Sequence, residues 1–96
     1  MDPPSYGRGP SGEIWKLEEH LPAFLELTTQ VLSDRPLFFL INSYTTGLAP
    51  SVLTYLLETI VARRYGGHTE SRELGLPVSA TGLTLPCGAA GRWVAD

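Results

Sequence analysis

The residues best suited to chemistry stand at the beginning of the chain, in the run Asp2-Pro3-Pro4-Ser5-Tyr6. Each proline fixes its φ angle at about −65° and has no N–H to donate, and a residue that precedes a proline is held out of the helical region. The run therefore predicts a stiff, extended corner that points the Asp2 carboxylate and the Tyr6 ring in fixed directions. Such a corner suits the presentation of a hydrogen-bond acceptor and a flat ring to a ligand, although a rigid surface turn would use the same residues.

A second polar group, Asn42-Ser43-Tyr44, follows the apolar run Leu37–Ile41 and predicts a turn. In doubly wound sheets, ligands bind beyond the carboxyl ends of the strands. We therefore expect Asn42 and Ser43 to emerge at the carboxyl end of the strand that Leu37–Ile41 would form. Asn42 either lines a pocket or stabilises the turn through its side chain, and Tyr44 is assigned to packing.

Other residues that often carry chemistry are poorly placed for it. The single cysteine, Cys87, has no partner for a disulfide, and neither it nor His20 or His68 begins a metal-ligand motif. We therefore predict no metal site and assign Cys87 to the core as a small apolar side chain. Ser5 and Ser79 lack a nucleophile elbow, which disfavours a hydrolase.

The charge and hydropathy of the chain narrow the function classes further. The net charge is −3, which excludes the broad basic surface that drives non-specific binding to nucleic acids. No apolar run approaches the roughly 20 residues of a membrane span, and no signal-peptide pattern is present. These patterns predict a cytoplasmic protein that does not enter a membrane.

Two helical patterns are interrupted or bounded by prolines and glycines. Residues 7–12 predict a loop, and the apolar spacing that follows predicts a short helix near 13–20, a bend, and a main helix near 21–33. The bend is expected because Pro22 in a helix interior would cost about 3 kcal/mol. A further helix is expected to begin at Pro50, with Ala49 as a weak cap, and to end at Gly66-Gly67.

The strand patterns predict half of a sheet. Leu37–Ile41 is continuously apolar, which favours a central parallel strand covered on both faces. A weak strand pattern at 68–74 and the alternation at 83–85 predict a closing hairpin, with bends or bulges at Gly82 and Gly88. The fold class is therefore α/β, and the chain corresponds to one half of a doubly wound sheet whose edge is open.

An Asp-Pro-Pro-x-aromatic corner followed by this order of elements resembles the class I S-adenosylmethionine-dependent methyltransferases. The corner is similar to their motif IV, and the branch that methylates large-subunit ribosomal RNA is the most similar. The resemblance extends from Asp2 to the hairpin at residues 83–88. It implies that residues 1–96 form a partial methyltransferase domain, the C-terminal half of the Rossmann-like sheet, whose cofactor-binding motifs lie upstream of the corner.

The resemblance also implies roles for individual residues. The corner would act on the acceptor, with S-adenosylmethionine as cofactor, and the full-length protein would bind RNA. The implied catalytic residues are Asp2, Pro3, Pro4 and Tyr6; Asp2 and Pro3 also border the cofactor, and the substrate-binding residues are Ser5, Arg8, Asn42 and Ser43. Two comparisons leave the acceptor atom open. Many amino-methylating enzymes have the aromatic residue directly after the prolines, where this chain has Ser5. Related RNA cytosine-C5 methyltransferases have a nucleophilic cysteine in the corner or the turn, where this chain has none.

Three hypotheses follow from these observations. The first is methyl transfer from S-adenosylmethionine to an RNA base, with this chain supplying the acceptor side and inactive alone. The second is part of a small-molecule methyltransferase, which the acidic composition permits. The third is a non-catalytic interaction module that uses its exposed sheet edge.

Overall fold

A three-stranded antiparallel sheet with the order β3-β5-β4 forms the framework of the protein. The computed structural model describes all residues, 1–96. The strands of this sheet are β3 (Phe38–Ser43), β4 (His68–Val78) and β5 (Leu83–Val94). The predicted closing hairpin is confirmed, and both of its strands are longer than the sequence pattern indicated. The chain is thus of the mixed α/β class.

The β4–β5 hairpin contains the two irregularities that the glycines predicted. Gly82 lies in the connecting turn with a φ of 70°. The register shifts between Leu74, which pairs with Gly88, and Gly75, which pairs with Pro86, so that Cys87 is left without a partner. This is a β-bulge, which bends the strand locally.

The prediction that Leu37–Ile41 is a central parallel strand covered on both faces is wrong for this chain. β3 lies at the edge of the sheet and pairs antiparallel with β5. Phe39 and Ile41 are buried, whereas Phe38 and Leu40 are 63% and 41% exposed. The burial alternates because the core lies on one face of the sheet only.

The segment around Pro22 also differs from the prediction. A separate short helix near 13–20 is absent. Its first part is instead β2 (Ile14–Lys16), which pairs antiparallel with β1 (Tyr6–Arg8) at the start of the predicted loop, and residues 17–20 form the first turn of the next helix. Helix α1 (Leu17–Thr29) then runs without a break, and Pro22 lies inside it. Pro22 itself is exposed, whereas Leu17, Leu21 and Leu25 are at most 1% exposed, so burial of this stripe outweighs the cost of the proline.

The second helical region agrees with the sequence pattern at both ends. It comprises α2 (Pro50–Leu56), a π-helical segment (Leu57–Ala62) and α3 (Arg63–Tyr65). It ends at Gly66, whose φ of 70° is unfavourable for residues with a side chain. The π-helical segment was not predicted.

The core is one cluster of eleven buried apolar residues between the helices and the inner face of the sheet. Helix α1 contributes Leu17, Leu21 and Leu25, and the second helical region contributes Leu53, Leu56, Leu57 and Val61. The sheet contributes Phe39, Ile41, Ala89 and Trp93. No helix is long and apolar enough to cross a membrane.

The uncapped start of α2 gives a first prediction, on stability. Ala49 has the extended backbone of an N-cap residue (φ −68°, ψ 147°) but no side chain that accepts a hydrogen bond. We expect Ala49→Ser to raise the free energy of unfolding by about 1 kcal/mol, because serine would accept a bond from a free N–H. Urea denaturation measures the change, with Ala80→Ser in the exposed hairpin turn as control. A gain no larger than that of the control would contradict the prediction.

Candidate functional site

The proline corner lies beside the end of β3. The Met1 amino group donates a hydrogen bond to the Leu40 carbonyl, and the Asn42 N–H donates to the Met1 carbonyl at 3.0 Å. Met1 is thus bonded to the residues on either side of Ile41. This is the hydrogen-bond pattern of two parallel strands. The chain therefore enters the corner in the direction of β3, and Asp2 follows at the carboxyl end of that strand.

Hydrogen bonds from two sides hold the corner in place. The Leu17 N–H donates to the Ser5 carbonyl at 3.0 Å, and Trp15 Nε1 donates to the Pro4 carbonyl at 2.6 Å. The Thr45 hydroxyl donates to Ser5 Oγ at 2.8 Å across 40 positions of sequence. The corner is thereby joined both to the start of α1 and to the loop after β3.

Trp15 is itself held by α1. Its ring stacks on His20 at a centroid distance of 5.3 Å and meets the edge of Phe24 at the same distance. Trp15 therefore packs against α1. Its N–H adds a function that the sequence did not indicate, because it ties Pro4 to the helix.

The residues of the corner differ in what they expose. Asp2, Pro4 and Ser5 are exposed, whereas Pro3 is buried. Tyr6 is 53% exposed, and its hydroxyl accepts a hydrogen bond from Arg8 Nε at 3.3 Å. A carboxylate, a ring and a guanidinium thus face solvent together.

The two residues predicted after β3 lie in different environments. Asn42 is half-buried, and its backbone N–H donates to the Met1 carbonyl. Ser43 is only 1% exposed, and its hydroxyl accepts a hydrogen bond from the Thr45 N–H at 3.3 Å. The Ser43 side chain therefore stabilises the turn in this structure.

A groove that the sequence did not indicate lies next to the corner. We call it the Tyr44 groove; residues 44–50 form one side, Glu73 and residues 86–88 form the other, and its volume is about 470 Å³. Tyr44, assigned to packing from the sequence, is 51% exposed. Cys87, assigned to the core, is half-buried at the bulge and lines the groove. An aromatic residue directly after a strand, followed by Thr45-Thr46-Gly47, was the available signal.

The absence of a side chain at Gly88 allows the Tyr44 ring to lie against the backbone of β5. A Cβ added to Gly88 would be 2.9 Å from Tyr44 Cδ1 and 2.3 Å from the Ser43 carbonyl oxygen. Any side chain there would displace the ring or β3. The ring is therefore supported along one edge by the backbone of β5, and about half of its surface remains open.

No cluster of three or more histidine, cysteine, aspartate or glutamate residues could hold a metal ion. The exposed groups at this end of the sheet are a carboxylate, a guanidinium, two tyrosine rings and hydroxyl groups. These groups can orient and stack a ligand. Nothing in the arrangement pairs a nucleophile with a base.

Comparison with solved structures shows what this arrangement is similar to. The chain matches a crystal structure of a SAM-dependent methyltransferase from Agrobacterium tumefaciens, with a TM-score of 0.83 and 29% sequence identity. The match covers 99% of this chain and 32% of that protein, so the chain spans about a third of its length. No protein-family profile matches the sequence, and no curated protein matches it. The likeness supports a class I methyltransferase fold for these residues.

Proposed function

We propose that this chain forms the acceptor side of an S-adenosylmethionine-dependent methyltransferase that acts on an RNA base. One observation carries the proposal: the Asp2 corner lies beside the carboxyl end of β3, in a chain that aligns over 99% of its length with a methyltransferase. That is where ligands bind in sheets of this type. The sequence pattern and the structural likeness thus support the same activity class.

The residues present fit one side of the cofactor only. The exposed Asp2 carboxylate and the buried Pro3 would border it beside β3, but neither lines the Tyr44 groove. When bound, S-adenosylmethionine supplies an electrophilic methyl group that needs little acid–base assistance. The role of this chain is to align the acceptor. The groups that bind the adenosine of the cofactor would belong to polypeptide outside these 96 residues.

The outer edge of β3 favours such an addition. The bond from the Ala95 N–H to the Leu37 carbonyl and the antiparallel register direct the backbone groups of Phe39 and Ile41 toward β5. Those of Phe38, Leu40 and Asn42 therefore point outward, and Met1 satisfies only part of them. An edge of this kind is a template for a further strand, here one parallel to β3.

The proposal of an RNA base rests on the exposed groups of the corner. Tyr6 offers an open ring, and stacking on a base contributes about 1–3 kcal/mol. Arg8 carries a charge beside that ring, where a phosphate could be neutralised. Since the net charge is −3, most contacts to the RNA backbone would come from outside this chain.

The test is cofactor binding and methyl transfer by the complete reading frame that contains these residues. Calorimetry with S-adenosylmethionine compares its product with the 96-residue chain, and a tritiated methyl group is then followed into ribosomal RNA, transfer RNA and a small-molecule extract. We expect cofactor binding by the complete product only, and label in RNA.

Each other result has a defined meaning. Label confined to the small-molecule extract would overturn the RNA assignment and support a small-molecule methyltransferase. A complete product that folds and does not bind the cofactor would overturn methyl transfer altogether and support an interaction module.

A further inference from the structure

Next to the corner, the Tyr44 groove has the size and the position of a binding site that the proposed function leaves unassigned. Its volume of about 470 Å³ falls within the range of small-molecule sites. The loop that forms one side is bonded to the corner through Thr45 and Ser5 at 2.8 Å. A ligand held in the groove would therefore lie close to Ser5 of the corner.

The two sides of the groove offer complementary recognition groups. On one side, the Tyr44 ring is supported by Gly88 and half exposed, which suits it to stack on a flat ring. On the other side is Glu73, the single charged residue of the lining. An ionised carboxylate only accepts hydrogen bonds.

Glu73 reaches the groove because of its place in the sheet. It pairs with Ala89, which is buried on the helix-covered face. Two neighbours on that face of β4 bond to the second helical region: Thr69 to Glu58, and Ser71 to Thr54. Glu73, the next residue on this face, lies beyond these bonds near Pro50 and has no hydrogen bond or ion pair within the chain.

We propose that the Tyr44 groove binds a nucleobase that carries an exocyclic amino group, stacked on Tyr44 and donating to the Glu73 carboxylate. The inference rests on the proposed function, because the groove would hold a second base of the same RNA, next to the acceptor at the corner. A negatively charged lining is unfavourable for phosphate, so the groove selects the base itself and not the RNA backbone. Amino groups of this kind occur on cytosine, adenine and guanine but not on uracil.

The test uses the 96-residue chain and no cofactor. Amide resonances in ¹H–¹⁵N spectra are followed during titration with cytidine, adenosine, uridine and ribose 5-phosphate. We expect cytidine and adenosine to shift the amides of Thr45, Thr46 and Gly88, uridine to bind at least about fivefold more weakly, and ribose 5-phosphate to have no effect.

Substitutions separate the two contacts. Tyr44→Leu should weaken cytidine binding about tenfold, whereas Tyr44→Phe should retain it. Tyr55→Leu, at an exposed position outside the groove lining, serves as control. Glu73→Gln should abolish the preference for cytidine over uridine, because an amide also donates to a carbonyl; Glu26→Gln on α1 is its control. The spectrum of each variant also reports whether it folds.

No shift at the groove, equal binding of uridine, or an unchanged affinity in Tyr44→Leu would overturn the inference. These outcomes are distinct from failure of the proposed function. If the complete product binds S-adenosylmethionine and methylates RNA while the groove does not respond, only the groove assignment is lost. If cytidine binds in the groove but the complete product does not bind the cofactor, the proposal of methyl transfer is overturned and the groove assignment remains.

Discussion

Replacing Asp2 by Asn is expected to lower the rate of methyl transfer by the complete protein by about a hundredfold. Asparagine keeps the size of the side chain and the stiffness of the corner, since Pro3 is unchanged, but it removes the charge that would orient the acceptor. The affinity for S-adenosylmethionine should stay within about threefold, because its adenosine would be held elsewhere. A hundredfold loss corresponds to about 2.7 kcal/mol of transition-state stabilisation.

Single-turnover transfer of a labelled methyl group and calorimetry with the cofactor measure the two quantities on the same preparation. Asp34→Asn is the matched control, because Asp34 is an exposed acid in the loop before β3. A transfer rate within threefold of the parent protein would remove Asp2 from the proposed acceptor site. Equal losses in transfer rate and in cofactor affinity would instead indicate that Asp2 contacts the cofactor.

The parts of the fold that the sequence predicted are those with strong local signals. The apolar stripe after Pro50 and the Gly66-Gly67 pair define the second helical region at both ends. Gly82 and Gly88 mark the turn and the bulge of the hairpin. In each case the residue type or spacing itself favours the local structure, since glycine is the residue that most readily adopts positive φ, so no distant contact was needed to recognise it.

The parts that the sequence mispredicted depend on contacts between distant residues. The pairing of β1 with β2 cannot be read from residues 6–16, because Gly7, Gly9, Pro10 and Gly12 are typical of a loop. Pro22 was expected to break a helix, but its cost is local, whereas the gain comes from burial of Leu17, Leu21 and Leu25 against the sheet. Tertiary packing thus outweighed propensity.

The candidate site follows the same division. The stiffness of Asp2-Pro3-Pro4 is a local property. Its position beside β3 was expected only from the methyltransferase resemblance, because it depends on the bonds between Met1 and that strand. The exposure of Tyr44 was not predictable, because it depends on the absence of a side chain at Gly88, 44 positions away. The burial of Ser43 likewise depends on the alternation of β3, which the continuous apolar run concealed.

Trp93 provides the prediction with the largest effect on stability. It lies in β5, the middle strand, is fully buried, and its Nε1 donates to the Gly66 carbonyl at 2.6 Å. Tyr65 packs against its ring at 5.9 Å. One side chain therefore joins the sheet to the end of the second helical region.

We expect Trp93→Ala to lower the free energy of unfolding by about 3–5 kcal/mol, because the cavity would lie at the centre of the only core. For a domain of this length, total stability is on the order of 5–14 kcal/mol, so the variant could unfold, and Trp93→Phe then provides the measurement. Phenylalanine keeps most of the ring and loses the bond to Gly66, and should cost about 1–3 kcal/mol. Urea denaturation followed by circular dichroism tests both, with the exposed Tyr55→Ala as control, expected within about 0.5 kcal/mol. If Trp93→Ala were as stable as that control, the sheet and the helices would not share a core through this residue.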